Sequence, residues 1–239
     1  MSENFLLIIP TYNEAENIEL FLDEVKSVKA DILVVDDNSP DGTANLVTKK
    51  IKENSSINLL QREKKLGIGS AYRAGFAWGI KGNYDYFIEM DADFSHRVED
   101  LIEMMKEVKP YDLVIGSRYI FGGGSTGWSM RRKALSRGAN IFAGVFLRTR
   151  IKDLTSGFRI YSKEALNFID YSTTETNGYG FQIEMTTRCV SKKLDIQEYP
   201  IIFEERREGQ SKMDSNIIIE ALLLILKLFP KRYLGIKIC

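Results

Sequence analysis

The chain has 239 residues, 33 of them Lys or Arg and 33 Asp or Glu, so its formal net charge is zero. That balance excludes a globally basic nucleic-acid binder, and any anion site has to be local. Hydrophobic residues make up 44% and charged residues 28%, a globular composition on a chain long enough to bury a core without disulfides or a structural metal. The two cysteines, Cys189 and Cys239, form no metal-ligand pattern and fit a reducing, cytosolic compartment. The polar start, Met1 to Asn4, lacks the basic stretch and cleavage site of a signal peptide.

Phe5 to Ile9 is a short apolar run ending at Pro10, the length of a strand buried on both faces. Asn13, with Glu16 three residues on, has capping-box spacing for a helix whose inner stripe is Ile18, Phe21, Leu22 and Val25. Ile32 to Val35 reads as a second buried strand ending at Asp36-Asp37, and Asn45 to Lys52 as helix. Ile57 to Leu60 is a third strand, Ala71 to Ile80 a helix and Tyr86 to Met90 a fourth strand. Val98, Leu101, Ile102, Met105 and Val108 recur at helical spacing, and Leu113 to Ile115 is a fifth strand. Alternating strands and helices imply right-handed crossovers and a mostly parallel sheet. Ligands of such sheets bind beyond the carboxyl ends of the strands, and residues 10–14, 36–41, 91–96 and 116–119 all sit at those exits. Gly122 to Gly127 reads as a mobile loop, Arg131 to Arg150 as a basic, apolar helix, and Leu194 to Phe203 as extended chain. Asn216 to Phe229 is strongly apolar, broken by Glu220 and Lys227; at about fourteen residues it is short of the ~20 that span a bilayer.

Glu89-Met90-Asp91-Ala92-Asp93 puts two carboxylates at a strand end, and hard oxygen ligands suit Mg²⁺ or Mn²⁺ shared with substrate phosphates. Strand alternation would point Asp91 and Asp93 to one side; a polar strand end that caps the next helix is the competing reading. Asp36-Asp37 ends the second strand, where an acidic residue can meet a nucleotide's base or ribose; for Asp36, capping at Asn38 or Ser39 explains it as well. Leu66-Gly67-Ile68-Gly69-Ser70 lacks the spacing of a phosphate loop and reads as a tight turn into a helix. Arg118, Arg131, Arg132, Arg206 and Lys212 are candidate anion contacts, since the arginine fork suits phosphate. His96, the sole histidine, is open between a metal or acid-base role and a bond to a loop carbonyl.

Eight segments occur in a characteristic order: residues 10–14, 35–43, Leu66-Gly67 with Gly75, 90–96, 116–119, 155–159, 180–184 and 206–212. Together they resemble the family 2 glycosyltransferases, and within them the dolichol- or polyprenol-phosphate mannosyltransferases. The resemblance implies an α/β fold of the GT-A, Rossmann-like kind with a mostly parallel central sheet. It implies inverting transfer of mannose from GDP-mannose to a polyprenyl (dolichyl) monophosphate with a divalent metal, Mg²⁺ or Mn²⁺. By the same resemblance Pro10, Tyr12, Glu14 and Asp37 line the nucleotide pocket, and Asp91, Asp93 and Ser95 face the metal. Arg118, Arg132 and Ser136 hold the acceptor phosphate, and Arg206 and Lys212 meet the donor phosphates. Arg97 stands where related sequences commonly have proline. The nearest rival is a polyprenyl-phosphate glucosyltransferase or other family 2 enzyme using a UDP-sugar.

Residues 1–212 are expected to form the catalytic domain, and 213–239 an apolar helix with a basic tail that either associates with a membrane or packs on the core. The expected partners are a nucleotide sugar, a polyprenyl phosphate and a membrane surface or membrane-anchoring subunit, with no nucleic acid. The expected location is the cytoplasm, peripheral on the cytoplasmic face of a membrane.

Overall fold

The apolar runs become the strands of one sheet. The computed structural model describes residues 3–178 and 180–205. It opens with β1 (Phe5–Thr11), α1 (Ile18–Val25), β2 (Asp31–Asp36), α2 (Thr43–Glu53), β3 (Ile57–Gln61) and α3 (Ile68–Gly79). Next come β4 (Tyr86–Glu89), α4 (Val98–Lys106), β5 (Leu113–Ser117), β6 (Gly124–Ser125) and α5 (Met130–Phe146). The described part ends with β7 (Arg159–Ser162), α6 (Lys163–Ile169), α7 (Gly180–Ser191), β8 (Ile196–Pro200) and β9 (Ile202–Phe203). The main sheet has the order β3-β2-β1-β4-β7-β5-β8. Only β7 runs against its neighbours; every other pair in the sheet is parallel.

Alternation along the central strands feeds two cores. Leu7, Ile9, Ile32 and Val34 pack with Phe21, Leu22 and Leu101 on one face. Leu6, Ile8, Leu33 and Val35 pack with Tyr72, Phe76 and Phe181 on the other. Helices cover both faces, which is why these strands are unbroken apolar runs.

Five local expectations are corrected. The β1 run passes through Pro10 to Thr11, and α1 begins at Ile18 rather than after Asn13. Asn13 is left-handed, at φ 59°, and its amide donates to Ser39 Oγ at 3.0 Å. The loop after β2 therefore occupies the group that the capping box would have used, and the amides of Asn17 and Ile18 meet the Glu14 carbonyl instead. In α4 the inward stripe is Val98, Leu101 and Met104, while Ile102 faces outward. The glycine-rich stretch is pinned: β6 pairs in parallel with β9, through Gly124 N to Ile201 O at 2.9 Å and Thr126 N to Phe203 O at 2.8 Å. Finally α5 ends at Phe146, short of Arg150.

Gly67 is the N-cap of α3 with φ 92°. A Cβ there would lie 2.5 Å from the Asn177 carbonyl oxygen, and Gly69 N donates to that same oxygen at 3.0 Å. The segment is thus a turn packed on the 174–178 loop, as the sequence spacing indicated. Gly67→Ala combines a strained φ with a backbone overlap and is expected to cost about 2 kcal/mol. The urea midpoint measures it; an unchanged midpoint would contradict the packing.

Candidate active site

The first two strand exits are laced together by carboxylates. Asp36 accepts from Thr11 Oγ1 (2.9 Å), Ser39 Oγ (2.6 Å) and Ser39 N (2.9 Å), so it shapes the turn; the helix-capping reading at Asn38 or Ser39 is corrected, because α2 begins later, with Gly42 as its N-cap. Asp37 is held by Arg62, with Nε to Oδ1 at 2.5 Å and a second Nη2 contact. Its other oxygen takes Leu66 N at 3.1 Å. Asp41 accepts from Ala15 N and Thr43 Oγ1. Burial pushes the Asp41 carboxyl up, but the Thr43 hydroxyl and backbone amides outweigh it and hold it below its ordinary value. Glu14 N bonds Thr43 Oγ1 at 3.1 Å, and Lys65 Nζ sits 4.0 Å from the centre of the Tyr12 ring. Pro10, Tyr12, Glu14 and Asp37 are thereby gathered along one edge, with Pro10 beside Val35 and Thr11 beside Asp36.

At the third exit β4 stops at Glu89, so strand alternation does not reach the aspartates. A loop with Phe94 at φ 60° carries them instead. Asp91 is half-buried and Asp93 buried; Asp93 Oδ1 takes Ser95 N at 3.1 Å. A Cβ on Gly157 would lie 3.9 Å from Asp91 Oδ2 and 4.0 Å from Gln182 Nε2, so Asp91, Gly157 and Gln182 converge. Ser95 is fully buried, and its Oγ has no hydrogen-bond partner among the described residues. Two carboxylates and an unengaged hydroxyl are hard oxygen donors that fit Mg²⁺ or Mn²⁺. Among the described residues no group of three or more His, Cys, Asp and Glu could hold an ion alone, and such ions normally complete their shell with substrate oxygens and water. The His96 ring stacks on Phe158 at 4.6 Å and meets Phe203 edge-on at 5.3 Å.

Behind this loop lies a buried polar layer. Glu89 accepts from Gln182 Nε2 at 2.7 Å, and burial pushes its carboxyl up to about 8 against the pull of Arg159. The fully buried Arg159 is satisfied by Ser156 O, Leu154 O, Gln182 O, Tyr161 Oη and Thr186 Oγ1.

At the fourth exit Arg118 grips Asp153. Its Nε and Nη2 donate to the two carboxylate oxygens at 2.7 Å each, and its backbone N adds a bond at 3.0 Å. Nη2 also reaches Thr155 Oγ1 at 2.8 Å. Asp153 is fully buried; burial raises its carboxyl, but Arg118 wins and holds it below the usual carboxylate range. Its backbone N and that of Lys152 donate to Glu198. Asn140 ties Thr155 and Leu154 to α5, and Tyr119 donates to Ser136 Oγ at 2.6 Å. Arg132 lies over the Trp128 ring at 4.2 Å and pairs with Glu205 at 3.1 Å. Arg118, Arg132 and Ser136 thus surround one corner. Arg206 and Lys212 lie outside the described residues, as does the 216–229 segment. The last described strand crosses the acidic loop, with Glu204 N on Ser95 O at 3.0 Å.

Sequence reasoning missed Arg62, Asp153, Glu198, Gln182 and Trp128. Asp153 stands two residues before the recognised Thr155–Arg159 segment, and Gln182 within the 180–184 segment, so their neighbourhoods were flagged although their roles were not.

The mostly parallel sheet, with carboxylates at the β1, β2 and β4 exits and Arg118 at the β5 exit, is shared with solved glycosyltransferases of the GT-A fold. Glucosyl-3-phosphoglycerate synthase from Mycobacterium tuberculosis, solved with Mn²⁺, UDP and glucosyl-3-phosphoglycerate, superposes with a TM-score of 0.72 at 17% identity, covering 96% of this chain and 81% of that one. A mannosyltransferase from Pyrobaculum calidifontis, solved with GDP-Man and Mn²⁺, gives a TM-score of 0.66 at 16% identity, covering 97% and 67%. Residues 6–169 match the model of glycosyl transferase family 2, and the chain belongs to that family. The undecaprenyl-phosphate mannosyltransferase of Micrococcus luteus is 42% identical over 91% of this chain and 90% of its own length. The polyprenol monophosphomannose synthase of Mycolicibacterium smegmatis is 41% identical over 94% and 86%.

Proposed function

We propose that the chain transfers mannose from GDP-mannose to a polyprenyl monophosphate, with inversion, at a membrane surface. The observation that carries this reading is the 42% identity, over nine-tenths of both chains, to the undecaprenyl-phosphate mannosyltransferase. The arginine corner supports it, because an acceptor with a phosphate needs cations and a hydroxyl acceptor does not. Asp37, Tyr12, Pro10 and Glu14 take the nucleotide, and Arg206 and Lys212 take the donor phosphates. Asp91, Asp93 and Ser95 would hold a divalent ion, which when bound would supply charge neutralisation for the departing nucleoside diphosphate. Arg118 keeps Nη1 for the acceptor, since Nε and Nη2 are engaged by Asp153 and Thr155; Arg132 and Ser136 complete that contact. The acceptor oxygen attacks the anomeric carbon in line, and the carbon–oxygen bond to the diphosphate breaks. A phosphate monoester titrates near pH 6 and so arrives ionised. No side chain has to take a proton, and the chain's work is positioning and charge stabilisation.

Radiolabelled GDP-mannose and UDP-glucose, each with and without polyprenyl phosphate and Mn²⁺, test the reading by label extracted into the organic phase. Label is expected only from GDP-mannose with acceptor and metal. Extraction of label from UDP-glucose alone would transfer the proposal to the glucosyl donor, and none from either would reject the acceptor class.

A further inference from the structure

The arginine corner contains a hydrogen-bond donor with nothing to donate to. Trp128 is 9% exposed, and its Nε1–H is buried without a partner among the described residues. A buried N–H that lacks an acceptor is costly, and folded proteins keep few of them. The ring is held on several sides. Arg132 covers its face at 4.2 Å, Phe203 lies 5.3 Å away with its plane tilted by 62°, and the Arg118 guanidinium is 5.5 Å from its centre. Trp128 directly precedes Ser129, whose Oγ caps α5 by accepting from Arg132 N at 3.3 Å. The start of the helix therefore places the indole and Arg132 together.

The acids of the corner do not meet this donor. Asp153 is taken up by Arg118. Glu205 fits against Gly127, where a Cβ would lie 2.7 Å from Glu205 Cβ. From there its carboxylate serves Arg132 at 3.1 Å and leaves Nε1 unmet. What remains is a buried neutral N–H between two guanidiniums, a set of donors that suits an oxygen of an incoming anion.

We propose that Trp128 Nε1–H donates to a phosphate oxygen of the acceptor, as a third donor beside Arg118 and Arg132. The proposal rests on the acceptor corner assigned above. The cations supply attraction; the indole, fixed by its packing, supplies direction. An oxygen accepting from Nε1 stops rotation of the phosphate about its ester bond, which orients another oxygen for attack on the anomeric carbon.

Trp128→Phe keeps an aromatic face under Arg132 and removes only the donor. The KM for a short, water-soluble isoprenyl monophosphate is expected to rise about tenfold, with the donor KM unchanged. The thermal midpoint should hold or rise, because the unpartnered N–H is gone; a purely structural tryptophan would lower the midpoint and leave the acceptor KM in place. The chain has two tryptophans, so with ¹⁵N-labelled indole the signal missing from Trp128→Phe identifies Nε1 of residue 128. That signal is expected to shift on titration with the isoprenyl monophosphate and to stay in place with GDP alone. A shift with GDP and none with the monophosphate would assign the indole to the donor and overturn the proposal. Arg132→Ala separates the two levels of the argument. If it too leaves the acceptor KM unchanged, the acceptor corner itself is misplaced. If it raises that KM while Trp128→Phe does not, the corner stands and the indole's role fails.

Discussion

Asp93→Ala is expected to lower turnover at saturating donor and acceptor by about a thousandfold, the scale of losing one element of preorganised charge stabilisation. Asp93 is buried, and the described bond to its carboxylate comes from Ser95 N. Losing that acceptor costs folding about 1–2 kcal/mol, far less than the stability of an ordinary domain. The expected signature is therefore a folded, inactive protein. Asp93→Asn separates the two roles, because the amide still accepts from Ser95 N but offers the ion a neutral ligand. Turnover is measured as label transfer across an Mn²⁺ titration. Near-normal rates in either variant at high Mn²⁺ would remove Asp93 from the metal site.

Asp153→Ala is expected to be the most destabilising single change at the site, at about 3–5 kcal/mol, because it strands a buried guanidinium. For a chain of this size that is a fall of roughly 10 °C in the thermal midpoint. The Arg118 side chain is 9% exposed, so water cannot replace its partner. The orientation of Nη1 is lost with the fork, and the KM for the acceptor phosphate is expected to rise about tenfold or more while the donor KM stays. Replacing both partners by apolar residues should recover much of the stability and none of the acceptor affinity. The pH dependence follows from the lowered Asp153 carboxyl. Its stabilisation is present above the unfolded-chain value of about 3.9 and is lost as pH falls through the folded value. The gap in stability between wild type and variant should therefore narrow below about pH 4. A wild-type midpoint for Asp153→Ala would refute the coupling.

Elements with local signatures were legible in the sequence. The apolar runs at Phe5 and Ile32 have the length of buried strands, and the stripe Ile18, Phe21, Leu22, Val25 is buried as its spacing requires. Elements whose character is set by distant chain were not. β7 spans four residues, begins with a charged Arg159 and runs opposite to its neighbours. Only the partners brought to Arg159 from Leu154, Gln182 and Thr186 make that strand plausible. α7 is buried from Gly180 to Cys189, so it has no polar face to mark a helical period. Its Glu184 and Arg188 pair within the core. The glycine-rich stretch looked mobile because a pairing with residues 202–203 has no local trace. The candidate site divides the same way. Its residues sit at strand exits, which topology foretells, but Arg62 on Asp37 and Asp153 on Arg118 are pairings across 25 and 35 residues.

The reversed strand also sets an order of assembly. β1, β2, β3 and β4 pair with one another, so a chain emerging from the ribosome can build that half of the sheet once Glu89 is clear. β5 follows, yet it pairs only with β7 and β8 and has no sheet partner until residues 159–162 arrive. During that interval the outer edge of β4 stands open, a strand edge able to pair with a neighbouring nascent chain. The β1–β2 end of the candidate site forms early and the Arg118–Asp153 corner late, and translation that halts between them releases a half-sheet with an adhesive rim.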